Sequence, residues 1–348
     1  MFDNMRFTAA GGKSPIAGAL LRALAETGDL SVASLRSLSP LSDKAQVMVD
    51  KAVVEVGLQR LSFVADLLAE GLTYPLTDPL SVTQLEWESV NQVGHAQRTM
   101  SPSARGEFQM PNRTIYRLPI YLTTDDFSLG IRTLKMSQRV GQPLDTSLIK
   151  QATRRVNESI EDAAINGATT LDGQPLYVGG YAAPGLLNAP NANTVSLTVD
   201  WTGANTIGTT GPGMVTDVLA MIGAAQADKK YGPYNLYVGT KAGNLIEGDF
   251  KVNTTDTIRQ RLERIEVGGR RLQIKVTDMF PGASTGNQCA LVQMTNDVVE
   301  IVDGQRPTVI PWTSNDGFTL FWLVMAIMVP RFRSDYDGNS GVVLGVKS

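Results

Sequence analysis

Cysteine and histidine are nearly missing from this chain: Cys289 is the one cysteine and His95 the one histidine among 348 residues. A lone thiol excludes an intrachain disulfide framework and any metal site built from several cysteines, and it fits synthesis in a reducing compartment such as the cytoplasm. A lone imidazole, far in sequence from any ordered acid or nucleophile, gives a catalytic base nothing to work with, and His95 reads as a solvated or interface residue.

Charge of either sign is also scarce in excess. The net charge is -3, with 31 Lys and Arg scattered against 34 Asp and Glu. No continuous basic track is available to neutralise nucleic-acid phosphates, so tight direct DNA binding is not expected. The opening MFDNMRFTAAGGKSP has neither the basic flank nor the apolar core of a secretory signal, so export by that route is not expected. The longest apolar stretch, Phe318 to Val329, is shorter than the roughly 20 residues a membrane-crossing helix needs and reads as a buried strand.

What is present is ordinary globular composition, 43% hydrophobic and 19% charged, in a chain long enough for two lobes or for one lobe with large insertions. Residues 1–41 are small and polar and read as an arm, with one short helix around Ile16 to Ala25. Ser42 is placed to cap a helix of about 27 residues, on which Ala45, Val49, Ala52, Val53, Val56, Val64 and Leu67 recur at helical spacing before Gly71.

The period then changes. Leu85 and Trp87 alternate with Glu86 and Glu88, and Tyr116, Leu118, Ile120 and Leu122 alternate with Arg117 and Thr123, which predicts two long strands within 82–131. Between them, residues 94–112 are rich in Gly, Pro, Ser and Arg and poor in core-forming side chains. An isolated two-stranded ribbon is marginal in water, so one this long needs a cover, and a neighbouring subunit is the economical one; a mobile surface flap is the alternative.

Pro143 and Asp145 open a strong helical pattern with Ile149, Ala152, Val156, Ile160 and Ala163 on one face and Gly167 at its end. Such a helix is a rod of roughly 33 Å, with Lys150, Arg154, Arg155, Glu158, Glu161 and Asp162 on its polar side. The Gly-, Pro- and Asn-dense stretch 172–194 breaks regular structure and marks a crossover between lobes.

Beyond it, helices at Met214 to Ala227 and Thr255 to Ile265 mix with short strands at Leu236 to Val238, Leu272 to Val276, Ala290 to Met294 and Val298 to Val302, an α+β lobe. The tail reads as a buried strand, a turn at Asp337-Gly338 and a final strand that returns to the first lobe. No internal repeat is present.

Motifs that could carry chemistry fail on spacing. Gly12-Lys13-Ser14 resembles the end of a phosphate-binding loop, but Phe7 stands where its first glycine belongs and Pro15 follows. Gly208, Gly211 and Gly213 miss the dinucleotide spacing. Asp335, Asp337 and Asn339 open like a calcium loop, but Ser340 and Val346 occupy the positions that need Gly and Glu, so a polar turn is the favoured reading. Asp125-Asp126 and Glu161-Asp162 are adjacent in sequence and do not face one another; they read as strand-end and helix-surface charges. No catalytic residue, cofactor site or metal site is expected.

The order of elements resembles the tailed-phage major capsid proteins with the Hong Kong 97 type of fold, shared by the encapsulin nanocompartments. TQLEWESV...RTIYRLPIYLTTDDFSL, then DTSLIKQATRRVNESIEDAAINGA, then DGQPL...GLLNAP, a mixed lobe and a closing hydrophobic strand carry the resemblance over residues 42–346. It implies an α+β chain divided into an arm (1–41), an N-terminal helix region (42–81), an extension loop (82–131), a peripheral domain with a long spine helix (132–185), an axial domain (186–318) and return strands of the peripheral domain (319–348).

The function implied is self-assembly, through hexamers and pentamers, into the icosahedral head shell of a tailed phage, with no enzymatic activity. DNA would be enclosed without sequence-specific binding, and the shell would form in the host cytoplasm with scaffold, portal and possibly decoration proteins as partners. An arm this short makes a separate scaffold protein the expectation. Some members weld subunits through an extension-loop lysine; 82–131 contains no lysine, so a shell without covalent links is expected.

At the ribbon, Arg98, Arg105 and Arg113 are candidates to dock on acidic groups of adjacent subunits, with Trp87 and Phe108 as aromatic contacts, since charge complementarity fixes register; simple solubility is the alternative role for the arginines. Two other functional classes remain: an encapsulin-like compartment that packages a cargo enzyme, and a soluble enzyme with a ribbon lid, which the empty catalytic inventory disfavours.

Overall fold

In the computed structural model, residues 62–91, 98, 100, 110–132, 136, 147–170, 172–251, 256–281, 284–314 and 318–347 are described. The expected arm, the first part of the Ser42 helix, His95, Arg105, Phe108, Pro143 and Asp145 lie outside them.

Among the described residues the order opens with α1 (Ser62–Ala69), β1 (Thr73–Pro75), β2 (Gln84–Val90), β3 (Arg113–Pro119), β4 (Thr123–Gly130) and α2 (Ser147–Asn166). A small hairpin, β5 (Tyr177–Val178) and β6 (Tyr181–Ala182), and a 3-10 turn at Leu186–Asn188 lead to β7 (Asn193–Ser196), α3 (Thr210–Ala227), β8 (Tyr234–Gly239), α4 (Thr240–Ile246) and α5 (Ile258–Glu263). Then come β9 (Glu266–Val267), β10 (Arg270–Arg271), β11 (Gln273–Thr277), β12 (Gly286–Gln293), β13 (Val299–Thr313), β14 (Thr319–Phe332) and β15 (Val342–Lys347).

Two larger sheets organise these elements. One has the order β1-β13-β14-β4 and the other β11-β8-β12-β15-β7; β2 and β3 form a separate antiparallel ribbon. Alternation along β14 explains why both faces of the first sheet are apolar. Trp322, Val324, Ala326 and Met328 pack with Ile149, Val156 and Ile160 of α2, while Leu323, Met325, Ile327 and Val329 pack under Leu118 and Ile120 at the ribbon root. Phe127 of β4 stacks on its register partner Trp322, the ring centroids 6.0 Å apart.

The second sheet buries Leu236, Val238, Cys289, Leu291 and Val343 against α3 and α5. Its other face, Tyr237, Ala290, Val292, Val342 and Leu344, joins the core under α1 and α2. One hydrophobic cluster therefore touches both sheets.

The five apolar positions expected on the buried face of α2 are all buried. Gly167 ends that helix at φ +92°, a left-handed conformation that favours glycine.

Several expectations are corrected by strand pairing. Both closing strands were expected beside the first lobe; β14 pairs there, with β13 and β4, but β15 pairs with β12 and β7 in the five-stranded sheet. The strand expected at Val298 to Val302 within the mixed lobe is the start of a 15-residue strand, β13, that runs along β14. Apolar strands buried on both faces carry no local mark of their neighbours, which is why the sequence did not separate these pairings.

The second ribbon strand does not continue to Gly130. It ends at Pro119, with one further backbone bond from the Ile120 N–H to the Thr83 carbonyl at 2.9 Å, and β4 starts a new pairing with β14. The stretch 172–194 contains a hairpin where only broken structure was expected, and the helix expected over Thr255 to Ile265 is confined to Ile258–Glu263.

Candidate assembly interface: the ribbon and its root

The ribbon is antiparallel with Glu86 opposite Arg117 and Trp87 opposite Tyr116. Strand alternation puts Leu85, Trp87, Tyr116 and Leu118 on one face and Gln84, Glu86, Arg117 and Pro119 on the other. The aromatic pair stacks at 5.8 Å between centroids. On the opposite face Arg117 Nε pairs with Glu86 at 2.6 Å, and Arg113 with Glu88 at 3.0 Å.

Burial falls along the ribbon from root to tip. Leu118 is 1% exposed, Ile115 51%, Val90 46% and Met110 88%. The root is thus built into the body of the chain, while the outer part presents large apolar side chains to solvent.

Sequence-derived candidates fall at different depths. Trp87 sits half-buried at the root, beneath the Arg331 guanidinium at 5.3 Å. Arg113 and Arg98 are exposed, and Arg113 has an ion-pair partner in its own ribbon. Arg105 and Phe108 lie outside the described residues.

The sequence missed the pair that anchors the root. Arg331 and Glu300 are cross-strand neighbours on β14 and β13, both buried and bonded to one another, and the guanidinium also lies 4.5 Å from the Tyr74 ring. One cation and one anion set singly inside the apolar runs VVEIV and MVPRF were the available signal, because a charge buried on a strand requires a partner.

The acidic pairs resolve differently. Asp125 stands 3.4 Å from Arg155, a surface pair. Glu161, expected as a helix-surface charge, is 1% exposed: it accepts the Ser62 hydroxyl and the Phe63 N–H at 2.6 Å each and the Val64 N–H at 3.2 Å. These donors belong to the first turn of α1, so the carboxylate caps that helix from a distant part of the chain. Burial pushes the Glu161 carboxyl up, the three hydrogen bonds pull it down, Asp66 pushes it up again, and the balance lies above its ordinary value.

Asp335 and Asn339 close a tight turn, the Asp335 N–H donating to the Asn339 carbonyl at 3.0 Å. Cys289 is buried, and burial pushes its thiol far up, away from a reactive thiolate. Among the described residues no three His, Cys, Asp or Glu side chains group to hold a metal, and no helix is long and apolar enough to cross a membrane.

Comparison with solved structures finds this fold in shell proteins. The chain is similar to the capsid of Myoviridae phage XM1, with a TM-score of 0.61 at 11% identity over 83% of this chain and 92% of that one. It is similar to the virus-like particle from Pyrococcus furiosus, with a TM-score of 0.56 at 14% identity over 85% and 97%. The capsid of a native GTA particle gives 0.56 at 12% identity over 84% and 91%.

The fold is therefore the Hong Kong 97 type, as the sequence resemblance implied. Comparison with curated proteins finds no match. The model of the Family of unknown function (DUF6260) matches residues 58–345, and the chain belongs to that family.

Proposed function

We propose that this chain is a major capsid protein that assembles through hexamers and pentamers into the head shell of a tailed phage, enclosing DNA without reading its sequence. The observation that carries the reading is the ribbon: its root is packed into the chain, and its outer part leaves Val90 and Ile115 exposed on a two-stranded element that needs a cover, with Met110 exposed just beyond it. A neighbouring copy supplies that cover in a closed shell, and every copy both gives and receives a ribbon.

In this reading the extension loop, expected over 82–131, is the ribbon up to Ile120, α2 is the spine helix, and the four-stranded sheet, which takes β4, is the heart of the peripheral domain. The five-stranded sheet belongs to the axial domain, and its pairing supports counting β15 with that domain. Residues 1–41 serve as an arm. Arg98, Arg105 and Arg113, with Trp87 and Phe108, lie at the subunit contact. Assembly occurs in the host cytoplasm, with separate scaffold and portal proteins and, in some heads, a decoration protein.

A second reading, an encapsulin-like compartment holding a cargo enzyme, draws support from the similarity to the Pyrococcus furiosus particle. Velocity sedimentation of the full chain tests shell formation, with fast, uniform particles expected and a monomer boundary overturning both readings. Particles recovered from the native source and treated with nuclease then separate the two: protected DNA supports the capsid, and a packaged enzyme without DNA supports the compartment.

A further inference from the structure

We propose that the direction of the ribbon is fixed by a clamp that grips its root on both faces, Arg331 on one side and the β5–β6 turn on the other. The functional meaning of that direction rests on the reading of the ribbon as a shell contact; the clamp itself stands on the geometry alone.

A two-stranded ribbon resists bending within its own plane, because its backbone hydrogen bonds lie there, and yields easily at right angles to it. A contact on one face leaves that soft motion free in the other direction. Contacts on both faces remove it.

The first jaw rises from the long sheet. Arg331 is held by Glu300, its register partner, and Arg333 stands 3.5 Å from the same carboxylate. So held, the guanidinium carbon lies over two rings: the Tyr74 centroid is 4.5 Å away and that of Trp87 5.3 Å. Trp87 in turn stacks on Tyr116, so this jaw reaches both strands of the ribbon. Tyr74 belongs to β1, which pairs with β13, so the same cation also fixes the segment that precedes the ribbon.

The second jaw grows from the end of α2. The Ala168 N–H donates to the Ala183 carbonyl at 3.1 Å and the Leu176 N–H to the Ala168 carbonyl at 2.9 Å, which ties the β5–β6 hairpin to the residues that follow the helix. At its turn, the Val178 carbonyl accepts from Gln84 Nε2 at 3.0 Å, and the Tyr181 ring lies 5.4 Å from the Arg117 guanidinium. Gln84 and Arg117 are on the ribbon face opposite Trp87, one from each strand. Gly179 sits at φ +60°, and a Cβ there would lie 2.6 Å from Gln84 Nε2, so glycine both forms the turn and lets it close on the ribbon.

The two jaws come from different parts of the body, the sheet and the tail of α2. Between them they hold residues 84–87 and 116–117, and the outer ribbon projects from that fixed point.

The test uses two variants of the full-length chain. Arg331→Lys keeps a positive charge for Glu300 but has no planar group to lie on the rings. Gln84→Ala with Arg117→Ala opens the other jaw, and the Arg117 side chain is 38% exposed, so this variant disturbs little of the core. Hydrogen exchange is read by mass spectrometry over 84–90, 113–119 and, as the internal control, 147–166, on unassembled chain diluted below the concentration that supports assembly.

The expected result is about tenfold faster exchange in the ribbon for either variant with the α2 control unchanged. Ribbon exchange equal to that of the unaltered chain in both variants would overturn the clamp. If Arg331→Lys also loosens α2, the Gln84 and Arg117 variant decides alone. The shell reading fails separately, if the unaltered chain makes no particles, and the exchange result still stands or falls by itself. Where particles form, the clamp variants are expected to give irregular shells in place of uniform ones.

Discussion

The carboxylate of Glu161 accepts the backbone N–H of Phe63 at 2.6 Å, joining residues 98 apart in the chain. Through that bond α2 holds the first turn of α1, and α1 holds much else. Asp66 accepts from the Tyr237 hydroxyl at 3.1 Å and from Lys275 Nζ at 2.8 Å, and Glu70 pairs with Arg270 at 2.8 Å. On the other side Phe63 stacks on Phe332 of β14 with centroids 6.4 Å apart, so α1 and the residue after it tie the two sheets to one another.

Replacing Glu161 with alanine leaves two buried N–H groups and a hydroxyl without partners, at a cost of about 2–4 kcal/mol. Denaturant unfolding of the purified chain should show a lower midpoint at unchanged slope. An unaltered midpoint would mean that the cap is replaced by water. Because the folded state holds this carboxyl above its ordinary value, ionisation works against folding in that interval. The stability gap between the unaltered chain and E161A should therefore narrow as pH rises from the usual glutamate range through the elevated value.

Asp297 gives the opposite sign. Burial pushes its carboxyl up, but Lys230 at 2.7 Å and the Thr295 side chain outweigh that and hold it below the usual range. Its contribution is present above the ordinary carboxylate value and lost as pH falls through the lowered one. D297N should cost about 1 kcal/mol at neutral pH, limited because the Asp297 side chain is more than half exposed and Asp335 stands 3.7 Å from the same lysine. Thermal midpoints should differ at pH 7 and converge as pH falls below the ordinary carboxylate range through the lowered value; a constant gap would assign the effect to something other than charge.

Val90 and Ile115 present the ribbon's exposed apolar surface, opposite Arg113 and Glu88 respectively. V90E with I115R sets each new charge across from its complement, so the ribbon is not weakened and unfolding stability should stay within about 0.5 kcal/mol. Assembly should fail, because two charges would be buried against the neighbouring copy. Normal particle yield would show that this surface stays in water.

Residues 82–131 contain no lysine, so no side chain there can supply the amine of an isopeptide link. Particles boiled in denaturant should run on a gel as one band at the chain mass of 37.5 kDa. A ladder of multiples would contradict this.

Where pattern and environment are both local, the sequence was readable. The 3.6-residue spacing of Ile149, Ala152, Val156, Ile160 and Ala163 named the buried face of α2, and Gly167 its end. The alternation of Leu85, Trp87, Tyr116 and Leu118 with charged residues named the ribbon and its two faces. What stayed hidden was non-local: which sheet takes β13 and β15, strands buried on both sides, depends on partners far along the chain.

Glu161 was misread because a charge at a helix's polar edge looks solvated until another helix ends against it. The Val178-Gly179-Gly180-Tyr181 turn carried a hairpin signature, two glycines between strand-forming residues, that a general reading as loop passed over. At the candidate interface, Trp87 and Arg113 could be named from sequence, whereas Arg331 and Glu300 needed the register that places them side by side.

The dependence of the ribbon on an adjoining copy is tested most directly by negative-stain electron microscopy of the purified full-length chain. Hollow closed particles, with no free monomer population dominating the field, are expected. A homogeneous field of single small molecules, stable in solution at high concentration and never forming cages, would contradict it.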